Sequence, residues 1–172
     1  MSDSTPSSTS SPIYADRNTG VKFADANEMV NAYLARFVAR SAPDRGVPAE
    51  EVSGGPAALD EGGYAQLQHG SATIGVNVLG EQGVLMVFAP VMPVPALGRE
   101  AFYRRLLELS FVATADASFA INTQHDEVVV RCLRRLSALD YEEFGDIVAT
   151  VGAVADQWDD ALLGEFGAAG SA

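Results

Sequence analysis

The feature that most constrains the fold is a change of hydrophobic period in the middle of the chain, between residues 64 and 89. Over residues 72–78 apolar residues alternate with small or polar ones, the period of two that is typical of a strand with one buried face. Residues 84–89 are apolar at every position, which is typical of a strand covered on both faces. Plausible turns at 69–71 and 80–83 separate the strands of this region. Consecutive strands joined by short turns predict an antiparallel three-strand meander.

Apolar residues at helical spacing predict three helices around this sheet. Two of them begin with a capping box, Asp25 with Glu28 and Asp140 with Glu143, in which an Asp side chain accepts a hydrogen bond from the first turn. The predicted helices cover residues 25–41, 99–110 and 140–163, and Gly164 and Gly167 end the last one.

Two further strands, at 118–123 and 127–136, are separated by a short polar turn and form a predicted hairpin. The predicted order is α-β-β-β-α-β-β-α. The fold class is therefore α+β, with an antiparallel five-stranded sheet, made of the meander and the hairpin, packed by three helices.

The length of 172 residues favours one domain with tails. Residues 1–22 are rich in Ser, Thr and Pro, and we expect them to form a disordered tail. The single domain is predicted at 23–166, followed by a flexible tail at 167–172. Prolines and glycines between 43 and 63 predict a surface loop that contains at most a short strand.

The chain is acidic, with 23 Asp and Glu against 11 Lys and Arg and a formal charge of −12. Such a surface repels phosphate backbones and anionic headgroups, which argues against nucleic acid and membranes as partners and favours a basic or neutral protein. No signal peptide is visible, and prolines interrupt the longest apolar run at 84–97 before it reaches the ~20 residues of a membrane span. A cytoplasmic location is the default expectation. The single cysteine, Cys132, cannot form an intramolecular disulfide.

No catalytic or cofactor motif is present in the sequence, so we predict a protein that is not an enzyme, with no cofactor and no metal site. The only lysine, Lys22, is not part of a phosphate-binding loop. His69 and His125 fall in predicted turns, where imidazoles are usually solvated. A cryptic site that uses His125 with Cys132 remains an alternative, but a small buried thiol is the simpler interpretation of Cys132.

Charge is unevenly distributed, because residues 136–172 carry eight acidic and no basic side chains. An arginine-rich region precedes them, and its guanidinium groups could pair with Asp156, Asp159 and Asp160, within one molecule or across a dimer. The acidic final helix could instead recognise a folded partner.

Residues 84–97 hold more apolar and flexible side chains than one small core needs, among them Met86, Phe88 and Met92. Two interpretations remain open for this segment: it belongs to the core, or it forms a binding or dimer surface.

The segments 102–111, 117–136 and 137–163 together resemble the class I chaperones of type III secretion and the related YbjN-like domains. The resemblance rests on a helix with an aliphatic cluster, a hairpin followed by an L-x-x-L-D entry at Leu136, Leu139 and Asp140, and a long helix with a late Trp158.

The resemblance implies a non-enzymatic, often homodimeric protein that holds a segment of a partner, such as a secreted effector, on apolar surface. The interface candidates are Met86, Phe88, Met92, Phe102, Leu106 and Leu109. A chaperone-like or adaptor domain of this kind is our first functional hypothesis, and a regulatory signalling or secretion domain that uses the acidic final helix is the second.

Overall fold

The computed structural model describes residues 14–41, 57–69 and 71–167. Within these ranges seven strands and three α-helices form, with short 3-10 turns at Gly80–Gln82 and Leu136–Ala138. The strands are β1 Tyr14–Ala15, β2 Lys22–Phe23, β3 Tyr64–His69, β4 Ala72–Leu79, β5 Val84–Pro93, β6 Ser118–Asn122 and β7 Glu127–Arg135. The helices are α1 Ala26–Ser41, α2 Arg99–Val112 and α3 Tyr141–Phe166.

The main sheet has the strand order β3-β4-β5-β7-β6, and every neighbouring pair is antiparallel. The meander β3-β4-β5 and the hairpin β6-β7 join along β5 and β7. The predicted α+β class, its five-stranded antiparallel sheet and the order of its elements are confirmed.

Both predicted capping boxes begin a helix. Asp25 accepts a hydrogen bond from Glu28 N at 2.8 Å before α1, and Asp140 accepts one from Glu143 N at 2.9 Å before α3. These carboxylates satisfy amide donors that the first turn of a helix leaves unpaired. The expected stop at Gly164 is wrong, since α3 continues through it to Phe166.

One face of the sheet carries the core. Leu85, Val87 and Ala89 of β5 are buried in a large cluster with α1 and α3, and α2 adds a second cluster with the end of α3. A bulge at Val91, between Pro90 and Met92, shifts the register of β5 against β7. The opposite face of the sheet, which we call the open face, has no described helix on it.

Residues before position 23, the predicted start of the domain, also form regular structure. β1 and β2 pair in a small hairpin, and Asp16 between them is 2% exposed. Its carboxylate accepts hydrogen bonds from Asn18 N, Thr19 N and Tyr141 N, so the segment is tied to the start of α3. Residues 14–22, predicted to belong to a disordered tail, are therefore part of the folded domain. Residues 1–13, 42–56, 70 and 168–172, with the rest of the predicted tails and most of the predicted loop, lie outside the described part.

Candidate protein-binding surfaces

The open face of the sheet carries an aromatic patch formed by one residue of β5 and one of the edge strand β3, on either side of β4. Phe88 of β5 lies over Gly75 of β4, where an added Cβ would meet the ring at 2.6 Å. The ring of Tyr64 on the edge strand β3 lies 6.3 Å from the Phe88 ring, between centroids. A glycine at position 75 thus allows Phe88 to lie close to the sheet, partly exposed beside Tyr64.

A shallow groove of about 740 Å³ runs from this patch towards β6 and β7. Met86, Phe88 and Val129 supply apolar side chains along it, and Arg131 lies at its side. Next to the groove, Leu133 is 41% exposed at the position opposite Met86 in the β5-β7 register. The open face can therefore take up apolar side chains from another molecule without rearrangement of the core.

A second apolar surface lies on the outer side of α2. Leu107 is 72% exposed and Phe111 is 90% exposed, and with Tyr103 they follow one another at intervals of four residues along the helix. Residues at this spacing share one side of a helix. We call Tyr103, Leu107 and Phe111 the outer stripe of α2.

Four of the six interface candidates are buried in this chain and are not part of these surfaces. Phe102, Leu106 and Leu109 occupy the inner side of α2, each at most 5% exposed. Met92 packs with them because the bulge after Pro90 reverses the alternation of β5, so it faces away from Met86 and Phe88. The structure assigns these four side chains to the core, and of the six only Met86 and Phe88 lie on the open face.

The outer stripe was missed by sequence reasoning, although a signal for it exists. Apolar residues occur in α2 at 102, 106 and 109 and again at 103, 107 and 111. A helix on a sheet buries one such stripe, so the second must meet solvent or another molecule. The sequence does not say which of the two is the inner one.

The structure does not bring His125 and Cys132 together. His125 is exposed in the β6-β7 turn, while Cys132 is buried on the helix-bearing face of β7. β7 begins at Glu127, two residues after His125, and the five residue steps along the strand from Glu127 to Cys132 span ~17 Å. Burial raises the pKa of the Cys132 thiol, although the guanidinium of Arg134 opposes this shift. The thiol is therefore not prepared for nucleophilic chemistry.

The expected ion pairs of the arginines with Asp156, Asp159 and Asp160 do not form within the described residues, although Arg105 pairs with Glu165 in the last turn of α3 at 3.5 Å. Arg134 instead pairs with Asp116 and, through Nε at 2.9 Å, with Glu143. Asp156 accepts a hydrogen bond from Ser71 Oγ, and the ion pairs of the described chain include neither Asp159 nor Asp160.

Two other features can be judged in the described ranges, a metal site and a membrane-spanning helix. No group of three or more His, Cys, Asp or Glu side chains there is placed to hold a metal ion. None of the described helices combines the length and apolar character needed to cross a membrane.

Comparison with known proteins gives one family and a set of similar folds. The model of the Tir chaperone protein (CesT) family matches residues 49–159. The crystal structure of the ExsC-ExsE complex contains a chain 24% identical to this one, with a TM-score of 0.61, and the match covers 80% of this chain and 96% of that chain. No protein with a curated description matches significantly.

Two further solved structures share the fold at lower identity. A chain of the HopA1-SchA chaperone-effector complex is 9% identical, with a TM-score of 0.53 and coverage of 77% of this chain and 97% of that chain. A chain of the heterodimeric ExoU-SpcU complex, from the type III secretion system of Pseudomonas aeruginosa, is 14% identical, with a TM-score of 0.52 and coverage of 80% and 98%. At these identities the structures support the fold.

Proposed function

Since this chain belongs to the Tir chaperone protein (CesT) family, a family of chaperones that bind partner proteins, we propose that it captures one segment of a partner on the open face of its sheet. Met86 and Phe88 are the apolar anchors of this surface. The segment would belong to a secreted effector, and capture would take place in the cytoplasm without any catalytic step.

The observation that carries this proposal is the exposure of apolar side chains on a sheet face that no described helix covers. Phe88 and Met86 line the groove, and Leu133 extends the apolar area beside them. Burying such side chains contributes ~25 cal/mol per Å² of apolar area removed from water, so a few anchors can hold a flexible segment. The chaperone-effector complex among the similar folds supports an effector as the class of partner.

The test is capture of the partner from the cytosol of the source organism by the tagged chain and by Phe88→Ser. We expect Phe88→Ser to lose the partner while its unfolding transition stays close to that of the wild type. Leu163→Ser is the control, because it removes an apolar side chain that is 52% exposed on α3 and belongs to neither the open face nor the outer side of α2. If Phe88→Ser captured the partner as well as the wild type does, the result would contradict the proposal that the open face is the binding surface.

We further propose that the outer stripe of α2 is the contact between two copies of this chain. Leu107 and Phe111 are more exposed than large apolar side chains usually are on the surface of a monomeric protein, and the two side chains form one patch. A twofold dimer uses the same patch on both copies, so a single helix stripe is sufficient to build such an interface.

Light scattering after size exclusion tests the dimer. The wild type should have twice the mass of one chain, and Leu107→Asp together with Phe111→Asp should have the mass of one chain with unchanged far-UV circular dichroism. A wild-type monomer, or a dimer that survives both substitutions, would contradict the role of this stripe.

A further inference from the structure

The centre of the open face carries two arginines, although the chain as a whole is acidic. Arg131 and Arg135 of β7 occupy open-face positions, opposite Phe88 and Val84 in the β5-β7 register, with Leu133 between them. Residues that alternate along a strand share one face, at about 6.6 Å per pair of residues. Two guanidinium groups therefore flank the apolar strip that the proposed partner segment would occupy.

Neither guanidinium is neutralised by a carboxylate of the described chain. The ion pairs there use Arg36, Arg40, Arg99, Arg104, Arg105 and Arg134, but neither Arg131 nor Arg135.

Acidic groups near this face are few and have other partners. Among the described strand positions of the open face, Glu127 is the acidic residue, and its carboxylate accepts a hydrogen bond from Asn122 at 3.0 Å. Asp60, at the edge of the sheet before Tyr64, accepts hydrogen bonds from Gly62 N and Tyr64 N. The two arginines thus give the centre of the face a positive character.

The acidic surface that dominates the net charge lies on the other side of the sheet. α3 packs against Leu85 and Val87, on the face opposite to Met86 and Phe88, so its exposed carboxylates are about a helix diameter, ~10 Å, or more from the open face. At physiological salt, charges more than ~8 Å apart are largely screened. A bound segment therefore experiences the two arginines more strongly than the charge of −12.

We propose that the open face recognises a segment that is both apolar and acidic, in which carboxylates next to the apolar anchors pair with Arg131 and Arg135. This inference rests on the proposed function and names the chemistry of its partner. For this face we therefore expect an acidic segment, and not the basic or neutral partner that the net charge of the chain predicts.

The test uses two synthetic peptides of equal length with the same leucines and phenylalanines, one with glutamate and the other with lysine at every charged position. Binding to the full chain is measured by fluorescence anisotropy at physiological salt. The glutamate peptide should bind more tightly, and Arg131→Gln with Arg135→Gln should weaken it roughly two- to thirtyfold, the range for two exposed ion pairs. Arg104→Gln, on α2, is the control and should leave binding unchanged.

The outcomes separate this inference from the proposed function. Equal or tighter binding of the lysine peptide, with both peptides lost in Phe88→Ser, overturns the inference and leaves the capture surface intact. No binding of either peptide, or binding that Phe88→Ser does not affect, overturns both. A change in the mass of the free protein in the arginine variant would show that a second copy occupies this face, and that too overturns the inference.

Discussion

The contact between α3 and the edge of the sheet can be tested with two glycines of the same helix. At Gly152 an added Cβ would lie 2.7 Å from Cδ2 of His69 and 3.2 Å from Cδ1 of Ile74, whereas at Gly145 it would meet no heavy atom within 4 Å. Both positions gain helix propensity on substitution by alanine, roughly 0.5–1 kcal/mol. Only Gly152→Ala also overfills a packed contact, which costs roughly 1–3 kcal/mol.

Because the propensity gain is common to both variants, the difference between them isolates the packing cost. Gly145→Ala should be more stable than the wild type, and Gly152→Ala should be less stable than Gly145→Ala by roughly 1–3 kcal/mol. The assay is urea unfolding followed by circular dichroism, with a shift of the midpoint at constant slope. Equal stabilisation by the two substitutions would refute the close approach of α3 to β3.

Three further predictions concern single side chains. Phe102→Ala should cost about 3–5 kcal/mol of unfolding free energy, since Phe102 is fully buried, while Phe111→Ala should stay within about 0.5 kcal/mol under conditions that keep the protein monomeric, as measured by urea unfolding. Equal costs, or a larger cost at Phe111, would contradict this assignment of the two sides of α2. Cys132 should react with a disulfide reagent at neutral pH far more slowly in the native protein than in urea, because burial raises the pKa of its thiol; a fast native reaction would contradict this. Asp16→Ala should cost roughly 1–3 kcal/mol at neutral pH. Burial tends to raise the pKa of Asp16, but hydrogen bonds from Thr19, Asn18 and Tyr141 outweigh it and lower the pKa below its ordinary 3.8, so this contribution is present above that value and is lost as the pH falls through the lowered one. A difference from the wild type that persists unchanged in acid would contradict this role of the carboxylate.

The elements that the sequence predicts well are those specified by local chemistry. The side chains of Asp25 and Asp140 begin their helices through hydrogen bonds within the next turn, and such a signal can be read without knowledge of the fold. The alternation of apolar and polar residues over 72–78 is also a local signal, and it correctly predicts that β4 buries one of its faces.

The elements that sequence reasoning missed depend on tertiary contacts. β1 and β2 have two residues each, too few for a periodic pattern, and their hairpin is held by Asp16 reaching the start of α3. Met92 shares the parity of Met86 and Phe88, and only the bulge in the pairing with β7 shows that it turns to the core. The sequence therefore indicates how many apolar positions exist, but the sheet register decides which of them can meet a partner.

The most direct test of segment capture on the open face is limited proteolysis of the purified complex, with mass spectrometry of what remains bound. We expect one short segment of the partner to survive on the chain, and we expect the Phe88→Ser variant to retain no such fragment. A partner that stays bound as an intact folded domain, insensitive to Phe88→Ser but lost when Asp156, Asp159 and Asp160 are neutralised, would contradict the account and favour recognition through α3.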